Sequence, residues 1–292
     1  MSPRSLARDA SRWPAPAKLN LFLHIVGQRP DGYHELQTAF QLLDITDTIG
    51  IEATGDGAIT RLDGPQEVPP DEDLAVRAAR ALKAATGASR GVRLRIQKRI
   101  PMGGGLGGGS SDAATVLVAL NELWGTGLDL PQLSSIGVDL GADVPVFIQG
   151  RSAWAEGIGE RLVPLELPES WFVVIHPGVA VPTREVFQAP ELTRNSPVIT
   201  IRGLFEAGTR NDCEPVVRTR FPVVGGALDW LGRFAQARLT GTGSCVFAAF
   251  GSEAAARRIA AQVPQEWRSW VARGLDRSPL HEQLARLRGE SG

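Results

Sequence analysis

The sequence predicts an α+β protein built in two halves, and three observations carry that expectation. Val92, Leu94 and Ile96 alternate with Arg93, Arg95 and Gln97, a glycine run follows, and Ala113 to Trp124 is rich in Ala, Leu and Val. That order reads as strand, loop, helix. Near Ser170 the texture changes, with an apolar run from Trp171 to Ile175 closed by His176-Pro177-Gly178. A second small-residue turn, Thr240-Gly241-Thr242-Gly243-Ser244, leads into an apolar strand from Cys245 to Phe250. At 292 residues the chain can hold one large or two ordinary domains.

Taken in order, residues 1 to 14 read as a frayed end apart from Trp13. Ala15 to Ile25 is a strand with Leu19, Leu21, Leu23 and Ile25 on one face and Lys18 and Asn20 on the other. Gly27 to Tyr33 is a turn around Pro-Asp-Gly. Leu36 to Ile51 reads as strand with a break at Asp44–Asp47, and Gly55 to Pro70 as turns. Asp71-Glu72-Asp73 opens a helix to about Thr86, with its carboxylates at the positive end of the helix dipole. Ser110 or Ser111 is placed to cap the helix after the glycine loop, and Gly125 to end it. A short helix from Pro131 to Leu140 precedes Gly141-Ala142-Asp143, and a hairpin turns at Gly157-Ile158-Gly159. In the second half, Pro182-Thr183-Arg184 precedes a short helix carrying Phe187. Helices are expected over 199–207, 213–220, 225–236 and 252–263, and a strand over 268–273, giving an α+β second half with an open sheet.

Composition narrows the function classes. A net charge of −1 with 43% hydrophobic residues disfavours a nucleic-acid surface, which needs a basic excess. No stretch approaches the ~20 apolar residues of a membrane span. Arg4, Arg8, Asp9 and Arg12 surround no apolar signal core, so a cytoplasmic protein is expected. Cys213 and Cys245 fit a reducing compartment and two buried thiols better than a disulfide. Lysine is scarce, at Lys18, Lys83 and Lys98 only, so a lysine in an apolar strand draws notice.

The stretch from Pro101 to Ala114 organises the rest. Six of the seven residues from Gly103 to Gly109 are glycine, which lets backbone amides come close to a ligand. Ahead of a helix, such amides make a phosphate site. The loop is not a P-loop, since no Gly-Lys pair occurs in the chain. Gly103-x-Gly105-x-x-Gly108 matches a dinucleotide fingerprint only formally, because the preceding strand alternates with charge. Asp143 sits among Val144, Val146 and Phe147, and an aspartate is rarely buried without a partner. A phosphate cradle, a strand lysine (Lys18) and a desolvated carboxylate (Asp143) are the parts phosphoryl transfer needs: a seat for phosphates, a cation, and an acceptor for a hydroxyl proton. Tyr33, the chain's one tyrosine, and His34 adjoin at a loop-to-strand junction, where they can stack on and hydrogen-bond a ring. No His/Cys cluster suggests zinc, and no residue is assigned as a metal ligand.

The sequence resembles the GHMP small-molecule kinases. Pro16-Ala17-Lys18-Leu19-Asn20-Leu21, Pro101–Ala114 and Gly241-Thr242-Gly243-Ser244 look like that family's three motifs. Arg29-x-Asp31-Gly32-Tyr33-His34, Gly141–Phe147 and Asn211-Asp212-Cys213 are similar to the branch that acts on a cytidine-diphosphate-linked methylerythritol. The resemblance spans roughly residues 14 to 282 and implies ATP as co-substrate, Mg²⁺, and transfer to the substrate's 2-hydroxyl. It implies an ATP-binding domain over 1–165 like the second domain of ribosomal protein S5, and a ferredoxin-like domain over 166–292, with the substrate in the cleft between. By matched position, Asp143 would be the base and Lys18 its charge partner. Pro101, Met102, Gly103, Gly104, Gly105, Leu106, Gly107, Gly108, Gly109, Ser110 and Ser111 would hold ATP. Asn20 would contact the erythritol end, Tyr33 and Phe187 would sandwich the cytosine, His34 would bond its edge, and Thr183 would line the site. Asp73-Leu74 stands where relatives carry Asn-Leu. A monomer or weak homodimer is expected.

Overall fold

The computed structural model describes residues 11–205 and 209–289. Its spine is two long antiparallel strands, β1 (Ser11–Gln28) and β2 (His34–Thr54). Trp13 is fully buried, so the strand begins ahead of the expected Ala15. Pro14 and Pro16 lack amides for the ladder, and the register slips between Pro16 and Lys18 and again between Asn20 and Leu23. These bulges bracket Lys18 and Asn20, and bulges re-aim side chains beside functional sites. The expected break in β2 at Asp44–Asp47 is absent. β1 pairs with Thr46 and Asp47, Gly274 with Leu43 just ahead and the strand Gly91–Gln97 from Thr48 onward, and the two aspartates are held by backbone amides: Asp44 accepts from the Arg273 amide at 2.8 Å, and Asp47 accepts from the Ile100 amide at 2.8 Å.

β3 (Ile59–Asp63) lies within the stretch expected to be turns. It is an edge strand, parallel to β4 (Gly91–Gln97). Between them runs α1 (Leu74–Thr86), which starts just after the three acidic residues expected to open it and is capped by Asp73, whose carboxylate accepts from the Ala75 amide. In β4 Val92, Leu94 and Ile96 point inward and their charged neighbours outward, as the alternation requires. α2 (Gly108–Trp124), α3 (Leu130–Val138) and α4 (Val144–Gln149) follow. The hairpin β5 (Ala153–Gly157) and β6 (Arg161–Pro164) closes the first half.

The second half runs through β7 (Trp171–His176), α5 (Thr183–Phe187), a single 3₁₀ turn at Arg202–Phe205, α6 (Glu214–Arg220) and α7 (Pro222–Gly232). The rest of the helix expected over 199–207 lies partly outside the described residues. β8 (Arg238–Leu239), β9 (Val246–Phe250), α8 (Glu253–Ala260), β10 (Arg268–Leu275) and α9 (Pro279–Arg288) complete the chain. One ten-stranded sheet runs β3-β4-β2-β10-β7-β9-β8, with β1 and β5 also paired to β2. β10 makes the join, pairing at one end with β2 and along its length with β7.

Three packed clusters position the site. One fills the space between the first half of the sheet and α1, α2 and α4, and it takes in Leu280 and Leu284 of α9. A second packs β7 and β9 against α6 and α7, and borrows Leu23 and Ile25 from β1. The third, with Ala17, Leu19, Leu43, Ile100, Leu106, Val174 and Cys245, lies at the seam directly beneath the glycine loop. Both cysteines are buried and free.

Candidate active site

The glycine loop is pinned by its carbonyls and open at its amides. Leu106 O accepts from the Lys18 amide at 3.0 Å, Gly104 O from the Cys245 amide at 3.1 Å, and Gly105 O from the Thr240 hydroxyl at 3.2 Å. Among the described residues, none of the amides from Gly103 to Ser110 donates to a protein group. α2 has Gly107 at its N-cap in the left-handed conformation, φ 73°, with no side-chain cap. Ser110 and Ser111 therefore sit inside the first turn and cap nothing, a correction to the expected capping. The first helical amides stay unpaired and, with the helix dipole, face a cavity of about 470 Å³. Pro101 to Ser110 line that cavity, and Pro65, Val68 and Leu74 form an apolar wall. Ser111 does not line it: its side chain is fully buried, and its amide closes the first helical bond to Gly107 O. Asp73 borders the cavity, but its carboxylate is spent on the Ala75 amide and on Arg61, 2.7 Å away.

Lys18 and Asp143 form one pair. The lysine, 2% exposed, reaches Asp143 at 3.1 Å and donates to Asn20 Oδ1 at 2.6 Å. Its ammonium also lies 5.3 Å from the centre of the Phe40 ring. Asp143 occupies the N-cap position of α4 yet makes no capping hydrogen bond; its side chain, 34% exposed, turns toward the lysine. Asn20 is buried and orients Lys18, with its amide held by the Thr38 hydroxyl at 3.0 Å.

Tyr33, His34 and Phe187 gather around a wider cavity of about 1080 Å³. Phe187 and His34 stack on each other at 5.0 Å and 27°, while Tyr33 is 60% exposed. The expected pair of aromatics around a base is thus not closed: His34 rather than a second six-membered ring lies against Phe187. A smaller cavity of about 240 Å³, lined by Lys18, Asn20, Asp143 and Phe187, joins the other two. Thr183, hydrogen-bonded at 3.1 Å to Thr242 of the second small-residue turn, borders all three. Loop, ion pair and aromatic cavity therefore lie on one continuous path.

Sequence reasoning missed a buried ionic cluster under the loop. Lys98 bridges Asp47 and Asp112, the latter at 2.6 Å. Burial pushes the Asp112 carboxyl up to about 7, with Asp47 adding to the rise and Lys98 opposing it. Burial works against the Lys98 ammonium too, but Asp112 and Asp47 outweigh it and its pKa is raised. Asp112 Oδ1 has no partner among the described residues. Lysine scarcity was the available signal for Lys98. Arg194, which touches His34, had none, because arginine is common throughout this chain. Among the described residues no group of three or more His, Cys, Asp or Glu is placed to hold a metal ion, and no helix is long and apolar enough to cross a membrane.

Residues 73–151 match the N-terminal domain of the GHMP kinases and residues 190–269 the family's C-terminal domain. A relative from Alkalilimnicola ehrlichii, named 4-diphosphocytidyl-2-C-methyl-D-erythritol kinase, is 58% identical over 95% of this chain and 94% of its own. The chain belongs to the GHMP kinase family. It is a kinase with ATP as co-substrate, and its architecture is the α+β fold of that family. A crystal structure of 4-(cytidine 5'-diphospho)-2C-methyl-D-erythritol kinase superposes with a TM-score of 0.80 at 37% identity, covering 90% of this chain and 99% of that one. Homoserine kinase from Cytophaga hutchinsonii superposes at 0.68 over 95% of this chain and 98% of its own, but at 16% identity it shares the fold alone.

Proposed function

We propose that this kinase transfers the γ-phosphoryl group of ATP to the 2-hydroxyl of 4-diphosphocytidyl-2-C-methyl-D-erythritol. The observation that carries the reading is the placement of the Lys18–Asp143 pair where the loop cavity meets the aromatic one. A long acceptor with a pyrimidine at one end and a polyol at the other fits that path better than a short aliphatic alcohol, which has no use for Tyr33, His34 and Phe187.

ATP binds with its phosphates on the unpaired amides from Gly103 to Ser110 and its base along Pro65, Val68 and Leu74. Asp143 accepts the proton of the 2-hydroxyl as the oxygen attacks the γ-phosphorus, and Lys18 balances the charge on both oxygens. Asn20 holds Lys18 in line, and its remaining amide hydrogen is free for the erythritol. Tyr33 and Phe187 hold the cytosine, and Thr183 lines the passage. Among the described residues no carboxylate cage stands ready for Mg²⁺, and none is required, since that ion binds through substrate phosphates and water with few protein ligands. The Ser110 hydroxyl, at the helix start, is the protein group placed to join it. When bound, the ion would neutralise phosphate charge. The ATP-binding unit would correspond to 1–165 and the second unit to 166–292.

The test is ATP consumption by purified protein with Mg²⁺, offering diphosphocytidyl-methylerythritol, homoserine, mevalonate or no acceptor. Turnover with the cytidyl compound alone is expected. Turnover with homoserine or mevalonate but not the cytidyl compound would overturn the reading.

A further inference from the structure

His34 is held by a residue that the motifs did not single out. The Arg194 side chain donates from Nε to His34 Nε2 at 3.1 Å. The guanidinium cannot swing away, because its other nitrogens donate to three carbonyls: Leu192 O at 3.0 Å, Phe187 O at 3.0 Å and Ala189 O at 2.8 Å. Arginine has no acceptor and does not deprotonate in proteins, so Nε2 must present a lone pair to it. An imidazolium would set two donors head to head. Burial and the Arg194 charge both lower the His34 pKa, which agrees with a neutral ring. The one ring proton is then on Nδ1. Among the described residues Nδ1 has no hydrogen-bond partner, and the ring, stacked on Phe187, borders the wide cavity.

We infer that Arg194 is a positioning residue that fixes His34 as an Nδ1–H donor, and that this fixed donor makes the site select cytosine over uracil. Cytosine carries an unprotonated N3, between a carbonyl oxygen and an amino group, and that N3 accepts from the ring donor. Uracil carries N3–H and meets the same ring donor to donor. A free histidine could change tautomer and serve either base; one locked by arginine cannot. The inference rests on the cytidyl reading above and adds what enforces it. Because His34 is only half-buried, the discrimination should fall short of the 10⁴-fold or more reached in fully enclosed sites, at about 10–100-fold in kcat/KM.

Two measurements on the full-length protein separate this claim from the reading beneath it. Long-range proton–nitrogen NMR of the imidazoles, without ligands at pH 7.5, should show wild-type His34 as the Nδ1–H tautomer. In Arg194→Met the usual Nε2–H form should gain the majority. In kinetics, wild type should favour the cytidyl substrate over its uridyl counterpart by the stated margin. Arg194→Met should bring the ratio to within about threefold of unity, chiefly through a higher cytidyl KM, and Arg194→Lys, which keeps one donor, should restore part of it. Wild-type His34 in the Nε2–H form overturns the inference even if every variant misfolds. So does an Arg194→Met enzyme that keeps the wild-type ratio. Wild type that turns over neither compound overturns the cytidyl reading instead, and the spectrum still decides the tautomer.

Discussion

Removing the two halves of the Lys18–Asp143 pair should have unequal consequences for stability. The charges are 3.1 Å apart, which corresponds to about 5 kcal/mol of attraction at an effective dielectric constant of 20. Solvent reaches Asp143, which is 34% exposed, but not Lys18, at 2%. In Asp143→Asn a buried ammonium keeps only the neutral oxygens of Asn20 and the new amide, so the folded state should lose about 3 kcal/mol, the low end for breaking a buried pair. In Lys18→Met the charge left behind is the one water can solvate, and the loss should be only about 1–2 kcal/mol, mostly the hydrogen bond to Asn20. The double variant should cost less than the two single losses added. Urea unfolding of the four proteins at one pH measures all three quantities. Turnover should fall by about 10²-fold or more in each variant, as expected when general-base help is removed. An Asp143→Asn protein that unfolds at the wild-type urea midpoint would refute the electrostatic argument. One that also turns over at the wild-type rate would remove Asp143 from the chemistry.

Three further outcomes are expected. Tyr33→Ala should weaken cytidyl-substrate binding by about 1–3 kcal/mol, the worth of a base stacked on an aromatic, and leave thermal stability unchanged because the ring is exposed; an unchanged KM would take Tyr33 out of the pocket. Gly107→Ala places a methyl group 2.9 Å from the Phe147 ring and 3.1 Å from Lys18 Cε, at φ +73°, so ATP affinity by calorimetry should drop by about tenfold or more, given ~1–2 kcal/mol of backbone strain before any displacement. Asp112, raised to about 7 from an ordinary 3.8, holds a proton in the folded state that the unfolded chain has released, so its contribution to stability falls as pH rises across that window. Asp112→Asn, which leaves the Asp47–Lys98 pair in place, should therefore gain in Tm relative to wild type between pH 5 and pH 8, and a constant difference across that range would show that Asp112 does not titrate there.

The parts of the site legible in the sequence are those where residue type and chemistry coincide. A glycine run ahead of an apolar helix has few uses, and Lys18 stood out because lysines are rare here. The alternation of β4 announced its burial because one face of that strand meets solvent. Other features depended on packing that no local pattern encodes. Nothing near Asp44–Asp47 tells that Arg273 of β10 and the segment Lys98–Ile100 after β4 will take up those carboxylates while the strand runs straight through. Ser110 and Ser111 looked like caps because serines commonly are, yet both lie inside the first turn and leave the helix amides uncapped. The ring that lies against Phe187 is His34 because Arg194, distant in sequence, holds it there, and one arginine among many carries no signal. Edge strand β3 and helix α9 were both missed: the first is too polar to read as strand, and the second runs across the point near residue 282 where the resemblance ends.

The placement of α9 bears on the order in which the molecule can be made. Leu280 and Leu284 complete the cluster that backs α2 and β1, His281 meets the Ile148 carbonyl at 2.8 Å, and Arg288 pairs with Glu122 at 2.8 Å. The core of the first half of the chain is thus finished by residues made well after it. A nascent chain stalled before about residue 279 would carry the whole phosphate loop but an unsealed core behind it. For this topology, synthesis from N- to C-terminus should not yield a sealed first half ahead of the second: the core behind the loop closes only when α9 docks onto α2 and β1.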